Sequence, residues 1–208
     1  MRVTLPRLLA ATPDAITAAI YFTAWIAPSV LGPQYVKNLM LVMLIEFIVM
    51  HSGAFYAGIA SIADISRLRR LLMLTGLSLF YTAFILAFSA AFDSTWPIFA
   101  FAWLFASRFL HILLRPEQGP AETAQMMGLW VTSVAAYIFG ALGTVMLPLP
   151  ALGITPEFIA SMQLTGSGEW IERPYTVLAF GALYFSIQAL AKFALSSPSS
   201  SRVQRAPG

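Results

Sequence analysis

Glu46 and His51 stand inside the apolar run Tyr35–Ile59, and they are the residues of this 208-residue chain whose type and place could do chemistry. In an apolar medium a carboxylate and an imidazole can exchange protons, bind a polar solute or fix one helix against a charged neighbour. A helix needs about 20 apolar residues to cross a bilayer. A carboxylate at its centre costs at least about 2.5 kcal/mol on insertion scales, so Glu46 is expected to face protein or water rather than lipid.

On a helical wheel Glu46 and His51 share an arc with Met50, Gly53, Ala54, Ala57, Gly58 and Ser61, while Leu41, Ile45, Ile48, Val49, Phe55 and Ile59 fall opposite. Small faces suit helix contacts and bulky ones suit lipid, so both polar residues are expected to face the interior. Arg108, His111 and Arg115 form a second stripe at i, i+3 and i+7. Gly181, Tyr184, Gln188 and Lys192 form a third. Asp14, Thr17 and Tyr21 add a fourth, Thr75, Ser78, Thr82 and Ser89 a fifth, and Gly128, Thr132, Ala136, Gly140 and Gly143 a sixth. Together these stripes predict a polar pocket in the cytoplasmic half of a bundle, with Glu46 at its floor near mid-membrane. Its candidate binding residues are Glu46, His51, Arg108, His111, Gln188, Tyr184 and Tyr21, with Arg108 as the counter-ion of Glu46, since a buried charge is tolerable only when paired.

The same residues bound the chemistry. The two histidines on different helices could serve as axial imidazoles for haem b. Their expected depths differ by a turn or more and Arg108 sits one turn from His111, so this reading ranks last and no cofactor is expected. There is no cysteine, no His-Glu-x-x-His and no Asp/Glu cluster, so no metal site is expected. Gly166-Ser167-Gly168 lacks the Gly-x-Ser-x-Gly spacing of a nucleophile elbow. No catalytic motif is present, and the leaning is away from an enzyme.

The elements that must position these groups are membrane helices. The chain is 59% hydrophobic and 10% charged, with mean hydropathy +0.77, whereas soluble domains carry about 25% charged residues. The expected fold class is an all-α integral membrane protein: a six-transmembrane-helix bundle with spans near 13–30, 35–60, 68–91, 95–114, 122–147 and 174–195. Thr12-Pro13, Thr95-Trp96-Pro97 and Arg173-Pro174 read as helix starts, where proline's missing N–H is harmless. The loop 148–173 is expected to carry a short interfacial helix after Thr155-Pro156, then a flexible turn at 166–170 with Trp170 at headgroup level. Residues 1–195 form one domain, and 196–208 read as a disordered tail. The apolar stretch after Arg7 is opened by Asp14 and lacks a small-x-small cleavage site, so it is read as a retained helix rather than a signal peptide.

Nine basic residues (Arg2, Arg7, Arg67, Arg69, Arg70, Arg115, Lys192, Arg202, Arg205) fall on the side shared by the termini and only Lys37 and Arg173 on the other. That bias predicts a multi-pass protein of the plasma (cell inner) membrane with both termini cytoplasmic. The expected partners are the lipid bilayer and a membrane protein or small-molecule ligand. No basic face with interleaved aromatics suggests nucleic acid. A structural or partner-binding role is the first functional expectation, and a small-solute or proton-linked transporter using Glu46 and His51 the second.

Overall fold

A computed structural model describes residues 5–62, 65–99, 101–102 and 120–195, and among these the chain is helical with no strand. The helices are α1 (Leu5–Ile26), α2 (Pro33–Ser61), α3 (Arg67–Ala91), α4 (Pro120–Met146), α5 (Pro156–Ser161), α6 (Glu169–Glu172) and α7 (Pro174–Leu195), with a 3-10 turn at Pro28–Val30. Residues 96–99 and 101–102 are helical too. The long helices alternate in direction. One end of the bundle, the near end, holds the start of α1, the α2–α3 turn, the start of α4 and the end of α7. The far end holds the α1–α2 turn and the segment carrying α5 and α6.

Four stretches are long and apolar enough to cross a membrane: Pro33–Tyr56, Arg67–Ala91, Met127–Met146 and Pro174–Leu195. The expected count of six therefore reduces to four among the described residues. Most of the expected fourth span lies at 103–119, outside them. α1 has the length, but Pro13, Asp14 and its threonines keep it out of this group. The helix also begins at Leu5 rather than at Pro13, which is interior. Proline there forfeits one backbone bond, to the Leu9 carbonyl. α1 survives that loss because it packs along α7, its main neighbour. The other helix starts follow local chemistry. Ser66 accepts from the Arg69 amide at 3.3 Å and Thr155 from the Phe158 amide at 3.2 Å. Gly32, at φ 84°, turns the chain into Pro33 at the head of α2.

α7 is the most enclosed helix, flanked by α1 and α4, while α2 packs against α3, α4 and α7. That central position overturns one expectation. Leu41, Ile45 and Ile48, assigned to lipid, are buried. α2 is covered on most sides, so a bulky face is no guide to lipid there. Along its middle, α2 leaves the stripe Phe47, His51 and Phe55 exposed. The outer faces of α3 and α4 are apolar, with Leu79, Phe80, Phe139 and Met146 more than half exposed. An apolar exterior of this extent belongs against lipid rather than water.

Hydroxyls along the spans mostly turn back on their own helices. Thr17 donates to the Pro13 carbonyl, Thr82 to Ser78, Thr132 to Gly128, Thr144 to Gly140 and Ser186 to Ala182, at 2.7–2.9 Å. This i−4 bonding satisfies the group locally, so these five protons are spent within their own helices.

At the far end the Trp25 indole donates to the Pro150 carbonyl at 3.0 Å, and the Gly153 amide to the Trp25 carbonyl at 3.1 Å. A Cβ on Gly153 would collide with the Ile26 carbonyl. A short helix, α5, does follow Thr155-Pro156, and there the Thr155 hydroxyl holds the Glu157 carboxyl below its ordinary range. The expected flexible turn is instead the one-turn α6, entered through Gly168 at φ 127°. Its Trp170 ring lies 6.0 Å from Phe180, and Glu169 pairs with Arg173 at 2.6 Å, which raises the arginine's basicity.

The closest helix contact is between α1 and α7, where the Tyr21 ring lies directly on Gly181. Tyr21 is fully buried and tethered at its hydroxyl, so it has no room to yield to a methyl group. Gly181→Ala should therefore lower stability by about 1–3 kcal/mol through overpacking. Gly143→Ala, which meets open space, should be near neutral. Thermal melts of both variants in one detergent check the contrast.

Candidate functional site: a carboxylate among aromatic donors

Four aromatic side chains from three helices converge on a single stripe of α2. The Tyr21 hydroxyl of α1 donates to the Leu39 carbonyl at 2.6 Å. The Tyr137 hydroxyl of α4 donates to the Met43 carbonyl at 2.9 Å. The Tyr184 hydroxyl of α7 donates to Glu46 Oε1 at 2.7 Å. The Trp130 indole of α4 donates to the Met50 carbonyl at 3.2 Å. The acceptors at 39, 43, 46 and 50 follow i, i+4, i+7 and i+11, which is one face of a helix. Each carbonyl already serves its own helix and uses its second lone pair for the aromatic donor. Glu46 is the one place on the stripe where a side chain supplies the acceptor.

The donors pack on one another as rings. Tyr137 and Tyr184 lie 5.8 Å apart, edge to face, and Tyr137 meets Phe180 at 4.8 Å in the same way. Phe185 sits between Tyr184 (5.1 Å) and Tyr21 (5.5 Å, stacked). Such residues bring a large apolar body and one polar tip, so they fill an apolar core and still supply a donor.

Below Tyr184, toward the near end, the polar line continues along α7. Gln188 is one turn on and buried, and its Oε1 accepts from Ser133 of α4 at 2.9 Å. Ser133 also reaches the Leu129 carbonyl at 2.9 Å and stands beside the Tyr184 hydroxyl. One hydroxyl carries one proton, so Ser133 serves the two acceptors in turn. Lys192, another turn on, pairs with Asp14 of α1 at 2.6 Å. Glu46, Tyr184, Gln188 and Lys192, with Ser133 and Asp14, thus form a line from mid-bundle to the near end.

The structure brings together Glu46, Tyr184 and Gln188 of the expected site, with Tyr21 two turns up the α2 stripe. It turns His51 elsewhere. His51 Nδ1 lies 2.9 Å from the Tyr81 hydroxyl of α3, and the ring stacks on Phe47 (5.4 Å) and meets Phe55 edge to face (5.2 Å) on the exposed stripe. Five residues on a helix turn a side chain by about 140°, so Glu46 meets α7 while His51 meets α3. Arg108 and His111 lie outside the described residues, as do the Glu46–Arg108 pair and any haem site built on His111. Among the described residues no group of three or more His, Asp or Glu could hold a metal ion.

Sequence reasoning missed Tyr137 and Trp130. Their signal was present: a phenol and an indole seven residues apart in an apolar run, each needing a partner once buried. The donors are not energetically equivalent. Tyr184→Phe leaves a carboxylate oxygen without its donor and should cost about 1–3 kcal/mol. Tyr137→Phe removes the second bond to a carbonyl that keeps its helical N–H partner, and should cost about 0.5–1.5 kcal/mol. Equal losses in thermal melts would overturn this ordering.

No protein-family model, curated protein or solved structure matches the chain, so the arrangement of these residues is the only guide to their use.

Proposed function

We propose that this chain is a structural or partner-binding integral membrane protein, a helical scaffold in which the Glu46 stripe fixes helix register. The observation that carries this reading is the pairing of polar groups helix to helix: Tyr184 with Glu46, Ser133 with Gln188, and Lys192 with Asp14. Pairs of this kind hold neighbouring helices at a fixed offset. With this reading go a six-span topology, both termini on the cytoplasmic side and residence in the plasma (cell inner) membrane. In support, Arg67, Arg69, Arg70 and Lys192 belong to the near end, while Lys37 and Arg173 belong to the far end.

A small-solute or proton-linked carrier is the second reading, and one observation favours it. Gln188 Nε2 is buried and has no hydrogen-bond partner among the described residues. An unmatched amide one turn from Tyr184 is where a bound water or a passing polar solute would attach.

Two substitutions at one position separate these readings. In the scaffold Glu46 serves as an acceptor, so Glu46→Gln should stay within about 1 kcal/mol of the parent while Glu46→Leu should lose about 1–3 kcal/mol. Vesicles containing either the parent or Glu46→Gln should show the same proton leak, read from a trapped pH dye. A proton flux above that of protein-free vesicles, abolished by Glu46→Gln, would replace the scaffold with the carrier.

A further inference from the structure

At the far end a cleft of about 550 Å³ lies between the start of α2, the end of α3 and the segment 164–171. That volume falls within the range of small-ligand sites, about 300–1,000 Å³. It is separate from the Glu46 stripe, and its lining is ordered along the bundle axis. Lys37, Met40 and Leu44 line it from α2 at i, i+3 and i+7. At 1.5 Å per residue, Leu44 lies roughly 10 Å deeper than Lys37. From α3 come Phe92, just past the last helical residue, and Phe88, one turn deeper. Thr165, Ser167 and Glu169 line the cleft from the 164–171 segment. The polar side chains come from the start of α2 and the connecting segment, and the deeper side chains of α2 and α3 are apolar.

The cleft is lined by one cation, Lys37, and one carboxylate, Glu169, and they are not paired with each other. Glu169, its one carboxylate, is held by Arg173 at 2.6 Å. Lys37 has no carboxylate within ion-pair distance among the described residues. Lys37 also stands at the end of the bundle that carries few basic residues, so the general charge bias does not explain it. An ammonium at the mouth of an apolar cleft, at the level where α2 leaves the membrane, complements an amphiphile with an anionic head and an acyl tail pointing inward. Trp170 lines the same cleft, and tryptophan favours the headgroup level.

We infer that the Lys37–Leu44 cleft binds an anionic phospholipid of the surrounding bilayer, its phosphate at Lys37 and one acyl chain along Met40, Leu44, Phe88 and Phe92. This site rests on the membrane setting of α2 and α3, and it stands or falls apart from the role of Glu46.

The test is native mass spectrometry of the full chain, delipidated in mild detergent and titrated with phosphatidylglycerol, phosphatidylcholine or inorganic phosphate. The parent should retain one phosphatidylglycerol with about fivefold preference over phosphatidylcholine, the factor expected of one basic side chain at a membrane surface. Lys37→Ala should bring the preference to about one, and Lys37→Glu should reverse it, both with unchanged melting temperature. Leu44→Trp, which fills the floor, should lose both lipids; if it does not fold, the two Lys37 variants carry the test. No preference in the parent, or a preference that survives Lys37→Ala, would overturn the site. So would displacement of the lipid by millimolar phosphate alone, which would mark a free-anion site, or retention of a second protein copy in the lipid's place.

Discussion

The bundle depends on one constraint, which is that α2 must accept hydrogen bonds from outside itself along a single stripe. A helix in an apolar medium normally satisfies its own backbone and has no further demand on its neighbours. Here α1, α4 and α7 each present a buried phenol or indole whose polar tip has nowhere to go except α2. Hydrophobic contact between such helices is weakly directional, because lipid tails are as apolar as leucine. The aromatic tips supply the direction. They set how far each helix has slid along α2 and which way it is rotated, and the rings behind them fill the space between. Glu46 belongs to this scheme as the one acceptor with a side chain, and hence the one that can change its charge.

Much of the architecture was legible in the residues. The apolar runs placed α2, α3, α4 and α7 to within two residues at each end, because their length and hydropathy leave no soluble alternative. Pro33, Pro156 and Pro174 each mark a helix start. Pro13 does not, since a proline signal is local while the continuation of α1 through it rests on α7. The lipid-facing assignment of Leu41, Ile45 and Ile48 failed for a related reason. A wheel ranks the faces of one helix against each other and carries no information on how many neighbours that helix has.

The candidate site was legible in part. Glu46, Tyr184, Gln188 and Tyr21 were found because a polar group in an apolar run needs a partner. The hydroxyl stripes signal less than the carboxylate or the phenols, because Thr82 and Thr132 can meet their need with the carbonyl one turn behind them. His51 shows the remaining gap. Its distance from Glu46 round the helix was correct at about 140°, but α3 on that side, offering Tyr81, is a fact of tertiary arrangement.

The contact of α1 with α7 also bears on how the protein is made. α1 leaves the ribosome first among the helices, carrying Asp14, Pro13 and a tyrosine whose ring needs the bare backbone of Gly181. The Leu39 carbonyl of α2 and the Pro150 and Gly153 backbone follow it, but its longest packing face and the partner of Asp14, Lys192, arrive only with α7. Until α7 emerges, Asp14 lacks its lysine and Tyr21 lacks the glycine it packs on. Closure of the bundle joins elements far apart in sequence, and contacts of that kind form late and slowly. The interval before α7 emerges is the stage at which a chaperone or an insertase would have something to hold.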